Sequence, residues 1–171
     1  MADRAMIDVL KEKLGSIIND ISQPRKRRIY LSVDRENVQE AARVIFYDLG
    51  GRLCTASGID TMPGVEIIYH FFIEHPDYEK IMVNLKTLAP KPDLITKSVG
   101  AVFKAAEWIE REIAEMFGVT FEGHPDPRKL LLADDWPEGL YPLRSDYPQK
   151  DVEGFEPQDV DEPHPDATHL L

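Results

Sequence analysis

Residues 110–131 read EREIAEMFGVTFEGHPDPRKLL, a short run that holds glutamates, arginines, an aspartate and a histidine. Such side chains carry acid–base chemistry when they converge on one reacting atom. On a helix, however, Glu110 and Glu112 lie about 200° apart, so they do not form a paired acid and base on one substrate atom. His124 stands between Gly123 and Pro125, and a residue before proline is biased to extended backbone, which places this histidine in a loop. The chain has no HExxH or CxxC spacing for a metal, and no GxSxG or Cys–His context for a nucleophile. A stand-alone enzyme would have to use His124 with Glu112 or Glu115. The four-residue steps Glu107–Arg111 and Arg111–Glu115 ordinarily give surface ion pairs worth a few tenths of a kcal/mol. Arg111 and Arg128 are equally suited to directional contacts with carboxylates or backbone in a partner.

Other chemistry is poorly supported. Neither GxGxxG nor GxxxxGK[ST] is present, so no phosphate cradle is expected. His164 and His169 lie among acids at no recognised metal spacing, and no metal site is expected. Cys54 is the single cysteine, which rules out an internal disulfide and a self-contained four-ligand iron–sulfur cluster. The net charge of -11 argues against nucleic acid as the main partner. The charge is uneven. Residues 1–33 carry seven Lys/Arg and four acids, a net of +3, whereas residues 133–171 carry eleven acids against Arg144 and Lys150, a net of -9. The basic run PRKRR (24–28) reads as a solvated or interface turn, with anionic lipid as its alternative partner. No apolar run approaches the ~18 residues of a membrane span, and the amphipathic start lacks the apolar core of a signal peptide.

The elements that must position these residues follow from periodicity. Met6, Val9, Leu10, Leu14, Ile17, Ile18 and Ile21 share one helical face, so a helix is expected over 3–21, stopped by Pro24. RIYLSV (28–33) reads as a strand. Asp34 is the expected N-cap of a helix that closes at Gly50-Gly51. Residues 52–60, 64–75 and 80–89 read as an antiparallel meander. Its middle strand sets Val65, Ile67, Tyr69, Phe71 and Ile73 on one face and Ile68, His70 and Phe72 on the other. PKPDLITKS (90–98) is a linker, and a helix is expected from about 98 to 116 with Val102, Ala106, Ile109, Ile113 and Met116 as its stripe. Eight prolines follow Gly118 (Pro125, Pro127, Pro137, Pro142, Pro148, Pro157, Pro163, Pro165), a density that excludes regular helix and central strand. Phe121, Trp136, Tyr141, Tyr147 and Phe155 recur among them, and disordered chain is usually poor in aromatics. An irregular arm with aromatic anchors is the expectation. The chain then divides into a core domain, 1–117, and a docking arm, 118–171.

The order Glu110-Arg111-Glu112, Glu115, Met116-Phe117, His124, Arg128, Leu130 and Leu131, framed by AEWIERE, EMFGVTFEGHPD and YPLRSDYP, resembles the signature of the 30-kilodalton subunit family of respiratory complex I. The resemblance spans roughly residues 28–148. It implies an α+β fold, a mainly antiparallel sheet packed with helices, followed by a long extended proline-rich C-terminal arm. It also implies a peripheral subunit without a cofactor or catalytic residues of its own, on the cytoplasmic face of the cell membrane. Its partners would be a large catalytic subunit and a small iron–sulfur subunit, with iron–sulfur clusters and a nickel–iron centre held there and not in this chain. The interface residues it implies are Glu110, Arg111, Glu112, Glu115, Phe117, Gly118, Phe121, Gly123, His124, Arg128, Leu130, Leu131, Trp136, Tyr141, Pro142, Arg144 and Tyr147. Ser145 stands where members commonly carry Lys. The segment LLADDWPEGLYPLR is similar to the hydrogenase or archaeal type, and the branch it implies first is the energy-converting, ferredoxin-linked [NiFe] hydrogenase. The alternative branch is an NADH-, F420H2- or ferredoxin-linked quinone or sulfur-reducing relative.

Overall fold

The computed structural model describes residues 5–75 and 78–148. The acidic end, with Phe155, His164 and His169, lies outside the described residues. Helix α1 (Met6–Leu14) leads to strands β1 (Ile18–Arg25) and β2 (Arg28–Val33), then helix α2 (Val38–Arg43) with a π-helical turn at Val44–Asp48. Strands β3 (Arg52–Asp60), β4 (Gly64–His75), β5 (Tyr78–Pro90) and β6 (Ile95–Lys97) follow. A 3-10 turn (Lys104–Ala106), α3 (Glu107–Phe117) and β7 (Thr120–Glu122) complete the elements. The main sheet has the order β1-β2-β5-β4-β3. Only its β2–β5 pair is parallel, and β6 and β7 form a separate parallel pair. This is the expected α+β class with a mainly antiparallel sheet.

The meander forms as its alternation requires. Val65, Ile67, Tyr69, Phe71 and Ile73 are fully buried on one face. With Ile29, Leu31, Val83 and Leu85 they pack beneath Leu10 and Leu14 of α1 and Val38 and Ala41 of α2. Phe46 stacks on Phe103 at 4.2 Å, which seals the end of the core nearest α3. Gly50 takes a positive φ of 64°, and the Gly51 amide donates to the Ile45 carbonyl, so this turn closes as expected.

Four boundaries differ from the sequence reading. The first helix ends at Leu14, and Ile18 and Ile21 pair in β1 with Val33 and Leu31. Isoleucine suits both settings, and here pairing across strands outweighs the helical spacing. Pro24 is accommodated because β1 is an edge strand. Asp34 does not cap α2. Its carbonyl accepts from the Asn37 amide and its carboxylate from Asn19 at 2.8 Å, and the helix starts at Val38. The linker 90–98 contains β6, whose partner β7 lies in the region read as irregular. The last helix begins at Glu107, not 98, because the backbone of residues 98–100 turns to meet a buried carboxylate.

Candidate functional site

That carboxylate is Glu110, which has no solvent exposure. Its Oε1 accepts from the Tyr69 hydroxyl at 2.7 Å and the Val99 amide at 2.7 Å. Its Oε2 accepts from the Ser98 hydroxyl at 2.5 Å and the Gly100 amide at 3.2 Å. The Ser98 oxygen in turn accepts from the Ala101 amide at 3.2 Å. Burial pushes the Glu110 carboxyl above its ordinary range, and the four donors oppose that rise. Burial beside Glu110 likewise pushes the Tyr69 phenol well up. Glu110 thus ties α3 to β4 and to the loop that follows β6.

Arg111 and Glu115 act on the chain that follows β7. The Arg111 guanidinium donates to the carbonyls of Arg128 and Lys129, both at 2.7 Å, and lies over the Trp108 ring at 5.5 Å. Glu115 accepts from the amides of Leu130 at 2.6 Å, Leu131 at 2.7 Å and Leu132 at 3.4 Å. One helix therefore offers donors to two carbonyls and an acceptor to three amides of the same strip. Glu112 is exposed and points away from it, as the angular separation from Glu110 requires. The expected Glu107–Arg111 and Arg111–Glu115 surface pairs are replaced by these backbone contacts.

His124 is held with both nitrogens engaged. Nδ1 accepts from the Asp126 amide at 3.0 Å, so Nε2 is the protonated nitrogen that donates to the Glu107 carbonyl at 2.9 Å. Its side chain is 3% exposed and its Nε2 is 3.9 Å from Glu110. Glu115 is taken up by the amides of Leu130 and Leu131, and a histidine held through both nitrogens has no free lone pair to act as a general base. Asp126 grips Arg128 at 2.7 Å through both oxygens, which holds its carboxyl well below the usual range. A cavity of about 220 Å³ lies between Glu110, His124 and Pro127, below the roughly 300 Å³ at which ligand pockets begin.

The rest of the strip folds back on α3. Gly118 ends the helix with a positive φ of 75°, and a Cβ there would sit 2.5 Å from the Tyr141 ring. The Leu143 amide donates to the Met116 carbonyl, and Trp136 closes its own turn by donating to Leu140 at 2.9 Å. Arg144 donates to the Phe117 carbonyl at 3.4 Å and pairs with Asp146. Tyr147 closes the last turn on the Arg144 carbonyl. Phe117 and Phe121 are buried, Leu130, Pro142 and Tyr147 are half-buried, and Gly123 turns with a φ of 81°. Leu131 is 59% exposed.

Several positioning residues escaped the sequence reading. Asp60 accepts from the Ser145 amide at 2.9 Å and hydroxyl at 2.6 Å, and pairs with Lys91 at 3.0 Å. Ser145 foremost, then Lys91, lowers the Asp60 carboxyl to about 2. No local signal links positions 85 residues apart. Trp108, 66% exposed on a helix, was visible as an aromatic outside the apolar stripe. On the sheet face away from the helices, Ser57 Oγ lies 3.0 Å from His70 Nε2, and His70 Nδ1 lies 2.7 Å from Asn84 Oδ1. The order is that of a nucleophile relay. β4 and β5, which carry His70 and Asn84, are paired on both sides. The relay fastens three strands together.

Fold and site define an α+β domain in which Arg111 and Glu115 organise the chain's own strip after β7. Among the described residues no group of three or more His, Cys, Asp or Glu is placed to hold a metal, and no helix is long and apolar enough to cross a membrane. Residues 31–153 match the model of the respiratory-chain NADH dehydrogenase 30 Kd subunit, and the chain belongs to that family. It is 34% identical over 151 residues to the C subunit of the NADH-quinone oxidoreductase of Geobacter sulfurreducens, covering 85% of this chain and 89% of that one. It is 32% identical over 159 residues to the C subunit of the F(420)H(2) dehydrogenase of Methanosarcina mazei, covering 91% and 94%. Its fold matches a chain in the structure of an archaeal membrane-bound sulfane sulfur reductase, with a TM-score of 0.71 at 23% identity over 90% of this chain and 96% of that chain.

Proposed function

We propose that this chain is a peripheral subunit of a complex I-like membrane-bound oxidoreductase. In this reading it has no redox centre of its own, lies on the cytoplasmic face, and clamps the large catalytic subunit to its small iron–sulfur partner. One observation carries the reading: Glu110, Arg111 and Glu115 are all spent on the chain's own backbone and hydroxyls. Beside α3, the apolar side chains of Trp108, Leu131 and Leu143 face outward, each more than half exposed. Exposed aromatic and aliphatic anchors on a rigid support are what a protein interface uses. The family signature, on this account, builds the support, and its neighbours make the contact.

The names of the relatives, which speak of quinone and F420H2, favour a dehydrogenase-type complex. The segment LLADDWPEGLYPLR favours the energy-converting [NiFe] hydrogenase as the second reading. Paired CxxC motifs in the large subunit would select the hydrogenase. The cofactor-free role is tested on the full chain purified alone, by metal analysis and visible absorption. Less than about 0.1 iron, nickel or flavin per chain is expected; a stoichiometric amount of any of them contradicts the reading.

A further inference from the structure

We propose that the tip of the β1–β2 hairpin is a docking point for an acidic protein segment, an inference that rests on the subunit reading above. Arg25, Lys26, Arg27 and Arg28 are consecutive and all exposed. The described arginines elsewhere have partners within the chain, as with Arg35 on Ile95, Arg43 on Glu40 and Arg52 over the Phe72 ring. The side chains of Arg25, Arg27 and Arg28 have none among the described residues. This occurs in a chain with 31 acids and a net charge of -11, where internal carboxylates are plentiful. The register sets Arg25 directly opposite Arg28, and like charges so placed are destabilising. An anion from outside the chain would remove that cost.

The tip is built to present these charges. Gln23 Nε2 donates to the Lys26 carbonyl at 2.8 Å, and the Met82 amide donates to the Arg27 carbonyl at 3.0 Å, so the turn is tied to itself and to β5. Guanidinium forks carried on a tied backbone turn suit carboxylates, which each can hold through two hydrogen bonds. An extended anionic surface suits them less. A bilayer or polynucleotide would also face the acidic body, and SQPRKRR has neither an apolar residue to insert nor an aromatic to stack. Strand addition along β1 is hindered by two register irregularities and Pro24. The contact is therefore to side chains at the tip.

The test uses the full chain in its purified complex, with Lys26 replaced by photo-reactive benzoylphenylalanine. The expected product joins the tip to a peptide of another subunit rich in Asp and Glu. Its yield should fall roughly tenfold when Arg25→Gln, Arg27→Gln and Arg28→Gln are combined, and likewise between about 0.05 and 0.5 M salt. The triple variant should melt no lower than wild type, since it loses only repulsion. A product with a peptide not enriched in acids, or no product, overturns the proposal. So does wild-type binding to phosphatidylserine vesicles at physiological salt that the triple variant loses, which would make a lipid surface the partner. A chain that co-purifies with no complex at all removes the subunit reading first, and this inference with it.

Discussion

A carboxylate with no exposure needs donors, and Glu110 has four, from Tyr69, Ser98, Val99 and Gly100. Glu110→Ala leaves two buried amides and two hydroxyls without their acceptor. The expected loss is about 3 kcal/mol, read from urea unfolding; a midpoint equal to wild type would contradict this. The pH dependence has a definite sign. Because burial raises the Glu110 carboxyl, the folded state holds more protons than the unfolded one between the ordinary and raised values, and its contribution falls as pH rises there. Asp60 works in the opposite sense. Lowered from 3.8 to about 2, it contributes stability that is complete above the ordinary value and lost as pH falls toward the lowered one. Ser145→Ala removes the first cause of that shift. The Asp60 carboxyl, followed by NMR titration, should then rise toward its ordinary value, and an unchanged titration would refute the contact. Glu110 was partly legible in the sequence. A stripe through Ala106, Glu110, Ile113 and Phe117 has helical spacing, and all four are buried. The stripe through Ile109 and Met116 missed it because a carboxylate was not expected to face inward.

At the scale of elements, α3 is a bracket for the strip that follows β7. Arg111 grips two of its carbonyls and Glu115 three of its amides. Glu115→Ala should free this backbone. Trypsin should then cut after Arg128 or Lys129 roughly tenfold faster, followed by mass spectrometry, and an unchanged rate would show that Glu115 does not hold the strip. The meander was legible because strict alternation over β4 matches a half-buried sheet. The β6–β7 pair was not, since three-residue strands carry too little pattern and their partners are distant in sequence. The helix start was missed because amides that would have continued the helix are instead used by Glu110. The boundary drawn at residue 118 coincides with the αL turn at Gly118, yet residues 128–148 pack back on α3 and Asp60. Deleting residues 133–171 would therefore remove the contacts of Tyr141 with Gly118 and of Ser145 with Asp60, and would disturb the domain as well as any docking.

The described residues of the molecule form a sheet with helices on one face and a charged, proline-rich strip bound to the last helix. Its family membership follows from residues 31–153, and Glu110, Arg111 and Glu115 of its last helix are used within the chain. In the proposed function, the outward residues flanking α3 join this chain to a catalytic neighbour. The direct measurement is quantitative co-purification of tagged full chain from its own cells, wild type against Trp108→Asp with Leu131→Asp. Both positions are more than half exposed, so the fold is expected to persist, as a matching circular-dichroism melt would verify. Wild type is expected to recover the large and iron–sulfur subunits in equal amounts, and the double variant less than about a tenth as much. Equal recovery with the double variant would contradict the proposed function.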